Sequence, residues 1–166
     1  PVGVSNEQLV DATLGPAAQR LSMEFPSRAG YREVWADHPA FATEWTEYVE
    51  SYVDYDLQES PNGLRPSTNI DSVAADILEL FGNLRYFEAM ENLTAPVLEI
   101  RAPRGLLNDS PLYSTSNPIP GSERFASYRE VTAENVNHYT ILLNPIGAAQ
   151  IAEEALKFES EMVVEG

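Results

Sequence analysis

The stretch VTAENVNHYTILLNPIGAAQIAEEAL, residues 131–156, decides how the rest of the chain is read. It leaves a strand-like run over 128–132 and reaches His138, one of two histidines in the sequence. It then passes Asn144 and Pro145, which read as the N-cap and first residue of a helix. The predicted inward face of that helix is Ile146, Ala149, Ala152, Ala155, Leu156 and Phe158. A loop between the C-terminal end of a strand and a helix start is where open α/β sheets gather their sites. Imidazole titrates near neutrality, so His138 is a candidate general base. The competing reading is a loop histidine bonded to nearby backbone.

Upstream lies ENLTAPVLEIRAPRGLLNDSP, residues 91–111. Pro96 precedes a short apolar run, Val97 to Ile100, of the kind buried in parallel sheets, although Glu99 interrupts it. A loop rich in Pro, Ser and Asn covers 102–124, and Asp109 is the first carboxylate after the strand. In NDSP, Asp109 also reads as an ordinary turn former. Before this, Asp71 is the predicted cap of a helix with Val73, Ile77, Leu80, Phe81, Leu84 and Phe87 on its apolar face. The order helix, strand, long loop, strand, loop, helix is the tail of an open α/β sheet. Two strands alone do not make a stable doubly covered parallel sheet, so further strands are expected from elsewhere.

Residues 1–70 read as helical and aromatic-rich, without a convincing strand. Ser5 and Gln8 have capping-box spacing, which predicts a helix from Asn6 toward Leu14 that Gly15-Pro16 interrupts. FPSRAGY (25–31) reads as a turn. Asp37 or His38 then caps a predicted helix with Pro39 in its first turn. On it Phe41, Trp45, Tyr48, Tyr52 and Tyr55 share one face. His38 reads as a helix-start residue rather than a second base. QESPNGLRPSTN (58–69) reads as a linker.

Composition narrows the function classes. With no cysteine, disulfides, thiolate metal sites and cysteine nucleophiles are absent from this sequence. A formal charge of −16 opposes binding to a phosphate backbone, so no nucleic-acid partner is expected. There is no apolar run of membrane-spanning length, and PVGVSNEQLVDA lacks the basic start and apolar core of a signal peptide. No membrane partner and a cytoplasmic location are therefore expected. Two distant histidines without metal-ligand spacing and no Gly-rich phosphate loop predict neither a metal nor a cofactor.

TAPVLEIRAPRGLLNDSP and VTAENVNHYTILL followed by AAQIAEEALKF together resemble the C-terminal half of the α/β-hydrolase family. The first is similar to that family's strand and acid-bearing loop. The second is similar to its last strand, histidine loop and closing helix. Residues 1–70 are similar to its helical lid, and 71–166 to the C-terminal part of its core. The resemblance implies an esterase-type hydrolase acting through a nucleophile, His138 and an acid. The acid would be Asp109, with Glu123 or a residue outside this chain as alternatives. Trp35, Trp45, Tyr48 and Tyr52 of the lid would contact a small-molecule substrate such as an ester or lactone. No G-x-S-x-G elbow occurs, and Ser67, Ser72 and Ser122 lack its flanking glycines. The resemblance therefore implies a cleaved or two-chain enzyme, with an N-terminal fragment or chain supplying the nucleophile and oxyanion hole. An Asp nucleophile in the same frame would serve epoxide or haloalkane hydrolysis. Rival readings are a non-catalytic ligand receptor on the hydrolase frame and a free-standing acidic interaction module.

Overall fold

Ser5 opens the first helix in the way its spacing to Gln8 predicts. Its hydroxyl accepts from the Gln8 backbone N–H at 3.2 Å, and the Gln8 side chain accepts from the Ser5 N–H at 2.9 Å. The computed structural model describes residues 5–80, 84–112, 125 and 127–164. They fall into two compact units, Pro1–Tyr86 and Phe87–Gly166. In the first, α1 (Asn6–Leu14) stops at Gly15, whose φ of 56° suits glycine. Helix α2 (Pro16–Gln19) follows, and then a 3₁₀ turn, Arg20–Ser22.

The region expected to be a turn and one long aromatic helix is built differently. Ser27 caps α3 (Arg28–Ala36) by accepting from the Gly30 N–H, and Tyr31 and Trp35 become buried four residues apart. Thr46 caps α4 (Glu47–Tyr55), so the predicted helix from Pro39 is replaced by turns up to that cap. The expected linker holds a hairpin, β1 (Leu57–Ser60) antiparallel to β2 (Gly63–Pro66). Phe25 bridges to Leu64 beside it, and a side chain at Gly63 would collide with the Phe25 carbonyl oxygen. Helix α5 (Ile70–Leu80) starts one residue before the predicted cap, because Asn69 accepts from the Asp71 and Ser72 N–H groups. It packs on α1 and α2, with Val10 of α1, Ala18 of α2 and its own Ala74 and Ile77 forming a core. The resemblance places 71–166 in the hydrolase core, whereas this helix shares the core of the first unit. Helix α6 (Leu84–Glu91) follows, and Phe81 lies outside the described residues.

A buried polar cluster ties α3, α4 and the 3₁₀ turn together. Asp56 accepts from Arg20 at 2.7 Å, from Tyr31 at 2.5 Å and from the Thr68 hydroxyl at 2.8 Å. Arg20 also lies 4.6 Å from the Trp35 ring centroid. Burial pushes the Asp56 carboxyl up, but the hydrogen bonds from Tyr31 and Thr68 and the Arg20 charge outweigh it and hold it below its ordinary value of 3.8. The stability this contributes is present above that value and is lost as pH falls through the lower folded-state value. Removing the carboxylate leaves Arg20, only 8% exposed, with an uncompensated charge. Asp56→Ala is therefore expected to cost about 3–5 kcal/mol in urea denaturation at neutral pH. The loss should shrink at acid pH, where the wild type has itself lost the ionised carboxylate.

The second unit is a parallel pair, β3 (Val97–Arg101) and β4 (Tyr128–Thr132), registered Val97 to Tyr128 through Arg101 to Thr132. On one face Arg101 is held by Glu99 at 2.7 Å and by Glu130 at 2.9 Å, and Tyr128 donates to Glu99. This accounts for the acidic interruption of an apolar strand: Glu99 faces a buried guanidinium. Burial and the Glu99 bond push the Tyr128 hydroxyl up to about 12. Beyond β4 come α7 (Thr140–Leu143) and α8 (Pro145–Val164), where Asn144 accepts from the Ile146 N–H as predicted. The predicted inward face of α8 is turned outward. Ile146 and Leu156 are 58% and 66% exposed, whereas Gly147 is buried and Ile151 packs on Ala133, Val136 and Ile141. Gly147 sets the rotation, since a Cβ there would lie 2.5 Å from the Ile141 carbonyl oxygen.

Candidate functional site

Strand β3 runs out into a loop that turns back tightly. The Gly105 N–H donates to the Asp109 carbonyl at 3.1 Å, and the Asn108 N–H to the Gly105 carbonyl at 3.2 Å. Asn108 adopts a φ of 61°, and a side chain at Gly105 would stand 2.5 Å from the Ser110 carbonyl oxygen. Glycine at 105 is thus what lets the turn close and places Asp109 on its outer limb. Asp109 is exposed.

Strand β4 runs out into the histidine loop. The Ala133 N–H donates to the Arg101 carbonyl at 2.8 Å, carrying the strand pairing past its end. Asn135 then takes a φ of 59°. Asn137, fully buried, accepts through Oδ1 from the Tyr139 and Thr140 N–H groups at 3.0 and 2.9 Å. Its own N–H donates to the Thr140 hydroxyl at 2.8 Å. This reciprocal pair closes the turn into α7. His138 sits on that turn with an exposed side chain, its ring 6.0 Å from the Tyr139 ring.

The two loops dock on each other. A parallel bridge pairs Arg104 with Asn137, and the Arg104 guanidinium donates to the Asn135 carbonyl at 3.5 Å. The Asn137 amide donates to the Asn108 side-chain oxygen at 3.3 Å. The residue before Asp109 is therefore bonded to the residue before His138. No hydrogen bond joins Asp109 to His138 themselves. His138 makes none to any described residue, so the loop-histidine reading based on backbone bonding finds no such bond here.

The His138 side chain stays exposed to solvent, but the protein packed round the ring partly desolvates it and lowers its pKa from the ordinary 6.5. The neutral form is then favoured at neutral pH, which is the form that can accept a proton. The other residues singled out in sequence are placed as follows. Glu123 lies outside the described residues. Arg101, the last residue of β3, is 5% exposed and bound to Glu99 and Glu130. In the first unit Trp35 is 2% exposed and packs against Phe41 and Tyr52. His38 is buried in the same aromatic cluster, and its Nδ1 accepts from the Ala40 N–H. Trp45 is half-buried, and Tyr48 and Tyr52 are exposed. Among the described residues no group of three His, Cys, Asp or Glu side chains could hold a metal ion. None of the described helices is long and apolar enough to cross a membrane. A cleft of about 260 Å³ at the ends of β3 and β4 is lined by Ile100, Thr132, Glu134, Gln150 and neighbours, and neither Asp109 nor His138 lines it.

Asn108 and Asn137 were not singled out from sequence. The available signal was the Asn137-x-x-Thr140 spacing ahead of a short apolar run, which has the form of a cap.

No protein-family model matches the chain, and no curated protein matches it. Among solved structures, the crystal structure of E-2-(acetamidomethylene)succinate hydrolase, an α/β-hydrolase, is similar, with a TM-score of 0.61 at 19% identity. The match covers 90% of this chain and 50% of that one. The chain thus spans about half the length of the solved structure it matches, and its fold is that of the C-terminal half of an α/β-hydrolase.

Proposed function

We propose that this chain supplies the histidine, and with it the acid, of a hydrolase whose nucleophile and oxyanion hole come from an N-terminal half. The observation that carries the reading is the docking of the two loops. On an α/β-hydrolase fold, His138 and Asp109 follow two paired strands at the same end, and their neighbours Asn137 and Asn108 are bonded. In the assembled enzyme neutral His138 takes the nucleophile's proton as it attacks an ester or lactone carbonyl. It returns that proton to the leaving alcohol as the acyl-enzyme forms. A water then attacks the acyl group, giving its proton to His138, which passes it to the departing nucleophile. Asp109 stabilises the imidazolium. Half-buried Trp45 and exposed Tyr48 and Tyr52 supply apolar contacts to a small-molecule substrate, and buried Trp35 packs against Tyr52. We assign no nucleic-acid or membrane partner and a cytoplasmic location.

The test is to treat the full-length protein with a fluorophosphonate and follow p-nitrophenyl ester hydrolysis. One label on the N-terminal half, with turnover lost in proportion, is the expected result. Turnover of an epoxide or haloalkane without labelling would instead indicate an Asp nucleophile. Ligand binding with neither label nor turnover would replace the enzyme by a receptor.

A further inference from the structure

We infer that Asn137 is a positioning residue, a clamp whose side chain holds the histidine loop against the acid loop through Asn108. The inference rests on the reading of His138 as the base, and it adds the part that fixes where the base stands.

The side chain is committed at both ends. Its oxygen faces two backbone N–H groups, those of Tyr139 and Thr140, at 3.0 and 2.9 Å. Because an oxygen must face those two donors, the amide nitrogen must be the group that faces Asn108. The nitrogen donates to the Asn108 oxygen at 3.3 Å. Neither Asn108 nor Asn137 contributes charge, and Asn137 is wholly buried, so the donor end of the bond is shielded from competing water.

Three independent features converge on this link. Asn108 is at a φ of 61°, a conformation that asparagine tolerates better than most side chains. The tight turn at Gly105 brings Asn108 back toward the strand ends. The Arg104–Asn137 bridge already sets the backbones side by side, so the side-chain bond fixes residual sliding of one loop on the other. His138 itself has no hydrogen bond to a described residue, so its position is inherited from its neighbour. A catalytic base displaced by about 1 Å can lose around a hundredfold in rate.

Two substitutions remove this bond in different ways. Asn137→Asp keeps the oxygen that caps the turn but replaces the donor by an acceptor. Asn108→Ala deletes the acceptor and leaves the cap untouched. In the full-length protein each should lower kcat about 10–100-fold with KM within about twofold. The double variant should be no worse than the poorer single one, because both lose the same contact. The His138 ring Cε1–H signal in ¹H–¹³C spectra, assigned by its absence in His138→Ala, should shift or broaden in both variants. Melting temperature should fall by no more than a few degrees in Asn108→Ala. It should fall by more in Asn137→Asp, which buries a carboxylate against the Asn108 oxygen, so Asn108→Ala is the variant that reads position apart from stability. The clamp is overturned if kcat and the ring signal stay as in wild type, or if the two losses multiply. A His138 signal that moves in both variants, with His138→Ala still turning over, would keep the clamp and sink the catalytic reading. An unmoved signal with His138 still essential would do the reverse.

Discussion

Replacing His138 by Ala should lower kcat of the full-length enzyme by roughly 10⁵–10⁶-fold, with a melting temperature within about two degrees of wild type. The two halves of that expectation have different causes. The rate falls because the residues flanking His138 on this turn, Asn137, Tyr139 and Thr140, cannot take a proton near neutral pH. Stability holds because the ring is exposed and makes no hydrogen bond to a described residue. Its one ring contact is an edge-on approach to Tyr139 at 6.0 Å between centroids. The wild-type kcat/KM should also show an acid limb below pH 6.5, because burial lowers the His138 pKa and the ring stays neutral further into acid. Calorimetry and steady-state kinetics on one preparation decide the matter. A variant that keeps more than about a tenth of the turnover would sink the base assignment.

The second large effect is expected at Asp109. Asp109→Asn should reduce kcat by about 10⁴-fold, since an amide neither fixes the imidazole tautomer nor stabilises the imidazolium. Asp109 is exposed and lies on the outer limb of its turn. Its fold-forming interaction is through its backbone carbonyl, which accepts from Gly105. The substitution leaves that bond in place, so the folded fraction should be unchanged. Glu123→Gln serves as the comparison. A collapse there with Asp109→Asn near wild-type turnover moves the acid to Glu123, and two unaffected variants move it to the N-terminal half.

Much of the second unit was legible because its signals are local. An apolar run after Pro96, a second run at 128–132 and an Asn-Pro helix start each act over a few residues. All three stand where the sequence places them. Glu99 looked like a defect and is a partner of Arg101, a relation set by strand register. The inward face of α8 was misread because alanines and isoleucine mark apolar character without saying which side is approached closely. Gly147, with no side chain to advertise it, carries that information. In the first unit the serine before Arg28 and the threonine before Glu47 are both caps. An aromatic stripe running across the second cap was taken for one helix. The hairpin at 57–66 was hidden by Pro61 and Asn62, which form its turn as readily as they form a linker. Among the site residues, His138 was visible by chemical type and position. Asn137 and Asn108 were not, since their meaning depends on a contact 29 positions apart in the chain.

The pairing of β3 with β4 also sets an order of events. Val97 meets Tyr128 across a connection of about thirty residues, and closing such a loop spends chain entropy before the paired strands return it. During synthesis the loop bearing Asp109 leaves the ribosome well before the strand against which it must be held. Helix α8, whose Gly147 seats against Ile141, comes later still. A nascent chain that ends between His138 and that helix carries both loops without the helix packed beneath the second of them, so their joint geometry waits on α8.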